Sequence, residues 1–312
     1  MKNLPIKRYL PHIAEALASR GNLVLSAAPG AGKSTLVPIE LLKEPWLAGK
    51  KILMLQPRRV AAIAVARRMA QLTETRPGGL IGHQVRFSRQ VSAETRLEVL
   101  TEGILTRRIQ NDPFLENVGL IIFDEFHERS IHADLCLALC REIQKDIRSD
   151  LKILVMSATI DGAELANFLG NCPIIEAEGF LYPVEISYES PGSGRDRFLA
   201  MAEACKSIVR RSGAAESYLV FLPGAGEINL FREVLEDLKS HEICCLHGSM
   251  SIEAQEKILQ PPSCPRIVLA TNLAETSLTI EGITTVVDTG FCRKMKVNPS
   301  TGLETLELQR IS

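Results

Sequence analysis

The chain has 312 residues, of which 46% are hydrophobic and 23% charged, and its formal net charge at pH 7 is −1. This length and apolar content favour two globular domains, and the near-neutral charge excludes a uniformly basic protein, so any nucleic-acid-binding surface must be local. No run of about 18 uncharged apolar residues occurs and the start, MKNLPIKRYLPH, lacks an apolar signal core, so we expect a cytoplasmic protein that neither crosses a membrane nor is secreted.

The eight cysteines include no C-x-x-C pair. Cys136 and Cys140 have the spacing of one helix face, and Cys244 and Cys245 lie in a strand-like run. We expect reduced and mostly buried thiols rather than a metal site.

Short aliphatic or β-branched runs alternate with helical stretches through the first half of the chain. In order, NLVLSA precedes KSTLVPIELL, KILMLQ precedes RVAAIAVARRMAQL, VGLIIFDE precedes HADLCLALCREI, and LKILVMSAT precedes GAELANFLG. This alternation is the βαβ signature. It predicts an α/β fold with a parallel sheet covered by helices on both faces.

The pattern restarts beyond a stretch where proline and glycine cluster, from Gly179 to Gly194. SYLVFLPG precedes the helical EINLFREVLEDL, and the candidate strands EICCLHG, RIVLAT and TTVVDTG follow. The final FCRKMKVNPSTGLETLELQ alternates around NPSTG and predicts a β-hairpin. We expect a first domain at residues 1–178, a linker at 179–194 and a second domain at 195–312.

The segment LVLSAAPGAGKST combines a strand, a turn of small residues and a helix start. Gly30 and Gly32 let the backbone curl so that amide groups point inward. Lys33 adds a charge for the outer phosphates, and Ser34 offers a hydroxyl to Mg²⁺. Ala27 replaces the first glycine of G-x-x-x-x-G-K-[ST] and is small enough for that turn, although a glycine-rich turn with a chance Lys-Ser pair is the alternative. The predicted nucleotide-binding residues of this loop are Ala27, Ala28, Pro29, Gly30, Ala31, Gly32, Lys33, Ser34 and Thr35.

The apolar run of IIFDEFHERS ends in two carboxylates. A P-loop protein needs an acid at the end of a neighbouring strand to hold Mg²⁺, and Asp124 meets that need. Glu125 is placed to orient or deprotonate the water that attacks the terminal phosphate, and we also count it with Ser34 among the Mg²⁺ candidates. The alternatives are that the acids cap the next helix and that His127 is structural. The catalytic candidates are Lys33, Asp124, Glu125 and His127.

Eight motifs occur in the order seen in superfamily 2 helicases of the DEAH-box kind: GAGKST, QPRRVAA, TEGIL, DEFHERS, MSAT, FLPG, LHGSM and ATNLAETSLTI. Phe126 within the D-E-x-H box, with LPI near the start, most resembles the bacterial HrpB group of ATP-dependent RNA helicases. The resemblance spans nearly the whole chain. It implies two RecA-like domains, the second incomplete, that use ATP and Mg²⁺ to move on or unwind RNA, with single-stranded RNA as the bound partner. DNA stays open as a substrate because only 2′-hydroxyl contacts separate the two, and we expect a monomer.

The same resemblance implies which residues grip the nucleic-acid backbone. Guanidinium and hydroxyl groups suit phosphate contacts, which carry no base information. Without the family match, an ordinary solvated surface would be the preferred explanation for the arginines. The predicted RNA-binding residues are Arg58, Arg59, Arg86, Thr101, Thr271 and Asn272.

Two further pairs of residues acquire roles through the resemblance. Ser157 and Thr159 of MSAT resemble residues that link the nucleotide and nucleic-acid sites, although a Ser/Thr turn after a strand is an alternative. Arg68 and Phe291 match positions that sandwich the nucleotide base, which implies loose base selectivity. A solvated helix face and strand packing are the respective alternatives.

Similar helicases carry a Q-R-x-G-R-x-G-R motif, and no such motif occurs in the 312 residues. Loss of an arginine finger costs about 10³ to 10⁵ in turnover in related systems, so we expect poor hydrolysis. His127 would lack its usual partner, the glutamine of that motif.

The basic final hairpin resembles one that helps to separate strands, or it simply completes the second domain. A nucleotide-dependent RNA clamp and a P-loop ATPase that remodels protein partners are the competing functions.

Overall fold

The computed structural model describes residues 4–158, 162–179, 183–190, 196–213, 215–275 and 280–311. The chain divides into two compact units, Met1–Pro183 (unit 1) and Val184–Ser312 (unit 2). The division falls inside the stretch 179–194 for which a linker is expected. No helix in these described ranges is long and apolar enough to span a bilayer.

Unit 1 is an α/β domain, as predicted. In its described part, eight strands form one sheet in the order β4-β3-β5-β2-β6-β7-β1-β8, and every pairing except β3 with β4 is parallel. Its helices are α1 (Leu10–Arg20), α2 (Lys33–Leu41), α3 (Arg59–Leu72), α4 (Glu102–Asn111), α5 (Ile131–Asp146) and α6 (Gly162–Phe168), and its strands are β1 (Asn22–Ala27), β2 (Lys51–Leu55), β3 (Ile81–Val85), β4 (Ser88–Gln90), β5 (Leu97–Leu100), β6 (Val118–Phe123), β7 (Lys152–Ser157) and β8 (Ile174–Ala177).

The core of unit 1 explains why its central strands are continuously apolar. All residues of β6 are buried, since a parallel strand inside such a sheet is covered on both faces. On one face, Ile121 and Phe123 belong to a cluster that includes Cys136 and Cys140 of α5. The predicted helix face for these two cysteines is therefore confirmed, and it packs against the sheet.

Three strands of this sheet are not apparent in the alternation of apolar runs. β3 reads IGHQV, β4 reads SRQ and β5 reads LEVL, and each is short or carries polar residues. β3 and β4 form a hairpin that pairs Val85 with Ser88 at its tip, while β3 and β5 are parallel. Their placement depends on pairing with distant strands, which local periodicity does not encode.

Unit 2 contains the predicted second parallel sheet. In its described part the strand order is β10-β11-β9-β12, all parallel. Its helices are α7 (Arg197–Ser212), α8 (Ala225–Leu235) and α9 (Ile252–Leu259), and its strands are β9 (Tyr218–Phe221), β10 (Glu242–Leu246), β11 (Arg266–Ala270), β12 (Thr285–Asp288), β13 (Phe291–Val297) and β14 (Glu304–Arg310).

The predicted C-terminal hairpin is formed by β13 and β14, which pair antiparallel. Its two faces differ because side chains alternate along a strand. Lys294 and Lys296 lie on one face, whereas Met295 and Leu306 pair on the other and are 65% and 64% exposed. Arg293 donates to Glu227 at 2.8 Å, so this arginine connects the hairpin to α8. The hairpin is therefore amphipathic rather than simply basic.

Candidate nucleotide and nucleic-acid site

The glycine-rich loop has the backbone that its sequence predicts. β1 ends at Ala27, and α2 begins at Lys33. Gly30 and Gly32 have φ values of 75° and 95°, in the left-handed region that residues with a side chain rarely adopt. Gly32 is also the N-cap residue of α2, so it presents no side chain over that helix end. The N-terminus of α2 therefore has no side-chain cap, and an anion would be stabilised at this positive end of the helix dipole.

The departure from the usual loop pattern at Ala27 is accommodated by the sheet. Ala27 is 1% exposed and pairs with Ala177 at the end of β8. A Cβ atom on Gly179 would lie 2.4 Å from the Cβ of Ala28, so the chain after β8 passes close against the loop. Alanine side chains fit here because they are small.

Lys33 and Glu125 form a buried ion pair that joins the loop to the acidic turn. The Nζ atom of Lys33 lies 3.0 Å from Oε1 and 3.2 Å from Oε2 of Glu125. Their side chains are only 6% and 13% exposed. Residues 92 positions apart in the sequence are thus brought into direct contact, which places a cation and a carboxylate at the N-terminal end of α2.

Asp124 is the most buried acid of the site, at 4% exposure. Burial raises the pKa of its carboxyl above the ordinary value, and the charge of Glu125 raises this pKa further. Lys33 and a hydrogen bond with Ser34 act in the opposite direction. A divalent cation would favour the charged carboxylate.

The donor set suits Mg²⁺ in particular. The Ser34 hydroxyl and the Asp124 carboxylate are hard oxygen donors, and Mg²⁺ usually takes one or two such protein ligands and keeps water or phosphate oxygens for the rest. Across the described ranges no group of three or more His, Cys, Asp or Glu side chains could hold a metal ion. A site completed by nucleotide phosphates fits this chain better than a cage built from protein alone.

One expectation about this site is wrong. The acid was expected at the end of a strand next to the strand that carries the glycine-rich loop, but β7 lies between β1 and β6. The two sites still meet because the carboxyl ends of parallel strands share one edge of the sheet. The insertion of β7 also brings Ser157, the last residue of that strand, between them.

The acidic turn is held in an uncommon backbone conformation. Glu125 has φ 51° and Arg129 has φ 43°, both in the left-handed region, on either side of the short 3-10 helix Phe126–Glu128. Side chains with a Cβ adopt this region rarely, and such residues persist where the surroundings fix them. The turn is thereby constrained on both sides of His127.

His127 connects this turn to the segment after β7. Its Nδ1 atom accepts from the backbone N–H of Ala158 at 3.5 Å and lies 3.5 Å from Oε2 of Glu125. His127 therefore has partners inside unit 1. Ser157, one of the two predicted linkage residues, is fully buried at the end of β7, and Thr159 lies outside the described residues.

The two predicted RNA-gripping segments of unit 1 follow β2 and β5 and are bonded to the acidic turn. Arg59 is exposed at the start of α3, whereas Arg58 is partly buried and its Nε lies 3.3 Å from Oε2 of Glu128. After β5, Thr101 precedes α4, and the next residue, Glu102, accepts from the hydroxyl of Ser130 at 2.7 Å. Arg58, predicted to contact RNA, is therefore also paired with the acidic turn, which argues against the alternative of an ordinary solvated face for this residue.

Arg86 stands apart from these contacts, at the tip of the β3–β4 hairpin. It is exposed, and its guanidinium lies 4.7 Å from the ring centroid of Phe87. Phe87 is 84% exposed and has φ 69°. An arginine stacked on an exposed ring offers both a phosphate contact and a flat surface for a base. Phe87 follows Arg86 directly in the sequence, but only the structure shows its exposure.

The predicted residues of unit 2 and the base-stacking pair are placed as follows. Thr271 follows β11 and donates its backbone N–H to Leu246 at 3.1 Å, and Asn272 is exposed beside it. Arg68 is exposed on α3 of unit 1, with Nη1 3.4 Å from Oε1 of Gln71. Phe291 belongs to unit 2, where its ring centroid lies 5.0 Å from the guanidinium carbon of Arg197.

A sheet with a glycine-rich loop after its first strand, and with a buried acid pair at the same edge, defines a P-loop nucleoside triphosphatase of the RecA-like kind. Matches to known families agree and go further. The DEAD/DEAH box helicase family matches residues 9–168, and the helicase conserved C-terminal domain matches residues 200–312. The chain belongs to the DEAD/DEAH box helicase family.

Similar proteins place the chain within that family. It is 45% identical to the ATP-dependent RNA helicase HrpB of Escherichia coli strain K12 over 317 aligned positions, which cover 100% of this chain and 39% of the relative. It is 36% identical to an ATP-dependent RNA helicase HrpA homolog of Haemophilus influenzae, covering 100% of this chain and 24% of that protein. The crystal structure of E. coli DEAH/RHA helicase HrpB superposes with a TM-score of 0.89 at 44% identity, covering 99% of this chain and 40% of that one. The chain thus spans less than half the length of these relatives.

Proposed function

We propose that this chain is the motor core of an ATP-dependent RNA helicase of the HrpB type, which couples Mg·ATP to movement on single-stranded RNA. The observation that carries the proposal is the Lys33–Glu125 contact of 3.0 Å, because it joins the phosphate-binding loop to the acidic turn. The named relatives support RNA as the substrate and ATP as the nucleotide.

Each residue of the site has a role in that proposal. The loop from Ala27 to Thr35 would cradle the phosphates, and Ser34 and Asp124 would hold Mg²⁺, which would supply neutralisation of charge on the phosphates. Glu125 takes the proton of the attacking water as general base. A bound terminal phosphate offers Lys33 a second anionic partner. His127 connects this turn to the segment that follows β7 by accepting a hydrogen bond from the backbone N–H of Ala158.

The RNA grip predicts a measurable salt dependence. We expect log affinity for single-stranded RNA to fall linearly with log salt, with a slope of about 0.7 per neutralised phosphate, because released counterions drive phosphate contacts. Arg86→Ala should lower both the affinity and the slope, since Arg86 is exposed at a hairpin tip. Fluorescence anisotropy of a labelled oligoribonucleotide at several salt concentrations measures both quantities.

Arg76→Ala is the matched control, because Arg76 is also an exposed arginine of unit 1 but pairs with Glu94. It removes the same charge and should leave the slope unchanged. RNA affinity that does not change with salt, or equal losses of RNA affinity in Arg86→Ala and Arg76→Ala, would contradict the predicted RNA contacts. Absence of RNA binding alongside intact ATP binding would favour the ATPase that remodels protein partners.

We also propose that these 312 residues alone turn ATP over slowly. The sequence contains no Q-R-x-G-R-x-G-R motif, and arginine fingers contribute about 10³ to 10⁵ in related phosphoryl transfers. Steady-state turnover with saturating RNA should therefore be roughly 10³-fold or more below that of full-length E. coli HrpB. Nucleotide affinity is measured for both proteins, so that a binding defect is separated from slow chemistry. Comparable turnover would show that no arginine from that motif is required.

A further inference from the structure

Gln56 is a buried residue that joins the QPRR segment to the acid of the metal site. It follows β2, is 1% exposed, and donates from Nε2 to Oδ2 of Asp124 at 2.5 Å. Backbone bonds fix both partners: the N–H of Gln56 donates to Leu100 at 2.9 Å, and the N–H of Asp124 donates to Leu55 at 3.1 Å. The amide and the carboxylate are thus held against each other by the sheet.

The other half of the amide is unusual. The Oε1 atom of Gln56 is buried and has no hydrogen-bond partner within the described residues. A buried acceptor without a donor costs free energy, so native proteins usually supply a partner from protein, water or ligand. An unsatisfied acceptor in the same amide group that bonds Asp124 therefore points to a donor that arrives with the ligand.

Protein contacts orient the Asp124 carboxylate but do not occupy all of its acceptor positions. Oδ1 accepts from the backbone N–H of Glu125 at 2.9 Å, Oδ2 accepts from Gln56, and the carboxylate also has a hydrogen bond with Ser34. An ionised carboxylate offers about four acceptor positions, so these three bonds leave capacity for a further partner. Two donors on different oxygens fix the plane of the group, as partners behind a metal ligand commonly do.

We propose that Gln56 is a positioning residue for Mg²⁺: its amide nitrogen orients the Asp124 carboxylate, and its amide oxygen accepts from a water in the hydration shell of the ion. This inference rests on the proposed function, since it requires Mg·nucleotide at this site. Mg²⁺ retains several waters when bound, which provides the missing donor. Because Gln56 precedes Pro57 and Arg58, it also connects the predicted RNA-gripping segment to Asp124, the acid of the proposed Mg²⁺ site.

The test measures how Mg²⁺ promotes binding of a fluorescent, non-hydrolysable ATP analogue, which is a readout independent of turnover. Gln56→Leu keeps the approximate volume and removes both amide functions. We expect the Mg²⁺ concentration at half-maximal effect to rise about tenfold, as for other partners behind metal ligands. Affinity for the analogue in excess EDTA should stay unchanged, because the glycine-rich loop is intact.

Gln144→Leu is the matched control, since Gln144 is also a buried glutamine and bonds to Asn22 and to the carbonyl of Leu151. It should destabilise the fold without shifting the Mg²⁺ midpoint. Gln56→Asn provides a milder second variant that retains the amide but withdraws it by one methylene, and its midpoint should shift in the same direction. Circular dichroism melting confirms that each variant is folded.

Three outcomes are distinguishable. Wild-type chain that binds no nucleotide with or without Mg²⁺ would refute the proposed function itself. Wild-type Mg²⁺-promoted binding with an unshifted midpoint in folded Gln56→Leu or Gln56→Asn would refute only the role of Gln56. If Gln144→Leu shifted the Mg²⁺ midpoint as much as Gln56→Leu does, the role of Gln56 would be structural only.

Discussion

Lys33→Ala is expected to weaken nucleotide binding by roughly tenfold to hundredfold, because a hydrogen bond to a charged group contributes about 1.5–3 kcal/mol. It should also destabilise the folded chain. Lys33 and Glu125 form a largely buried pair, and removing one partner of such a pair costs about 3–5 kcal/mol by leaving a charge uncompensated. Isothermal titration with Mg·ATP and urea unfolding measure the two effects.

A double variant separates the two effects of that change. Lys33→Ala combined with Glu125→Gln removes both charges of the pair, so the free energy of unfolding should recover much of its loss while nucleotide affinity stays low. Lys43→Ala is the control for charge alone, since Lys43 pairs with Glu40 on the surface. If affinity returned together with stability in the double variant, Lys33 would act only through the fold.

Glu125→Gln is expected to lower the rate of ATP hydrolysis by about 10²–10⁴, the range assigned to a general base, while leaving Mg·ATP bound. The amide has the same shape but cannot accept the proton of the attacking water. Asp124 is unchanged, so the Mg²⁺ requirement for binding should persist. Single-turnover hydrolysis of radiolabelled ATP resolves this loss even where the starting rate is low.

Glu116→Gln is the control, because Glu116 is an exposed acid ahead of β6. It should hydrolyse ATP at the wild-type rate. A Glu125→Gln variant that binds nucleotide and hydrolyses it normally would remove Glu125 from the chemistry and return it to the role of Lys33's structural partner.

The local motifs of the site could be predicted because their geometry is short-range. GAGKST encodes its turn through Gly30 and Gly32, whose positive φ values the structure shows. DEFHERS follows β6, and this strand can be recognised in the sequence as an apolar run because all six of its residues are buried. In both cases the functional residues lie within a few positions of the element that holds them.

What sequence reasoning missed depends on strand order. Nothing in LKILVMSAT indicates that β7 inserts between β1 and β6, because that order is set by packing of distant segments. The contact between Arg58 and Glu128 likewise joins residues 70 positions apart. Gln56 is the polar residue that ends the apolar run KILMLQ, and nothing in that run indicates a role. Only the fold shows that its amide contacts Asp124.

The central claim is that one chain couples Mg·ATP to RNA, and the Glu125→Gln variant allows a direct test because it should hold ATP without consuming it. The measurement is its affinity for a labelled single-stranded RNA with and without saturating Mg·ATP. We expect ATP to change RNA affinity by about 5- to 150-fold, the usual range of coupling, and RNA to change ATP affinity by the same factor. RNA affinity that is identical in both states, in a variant shown to bind ATP, would contradict the account.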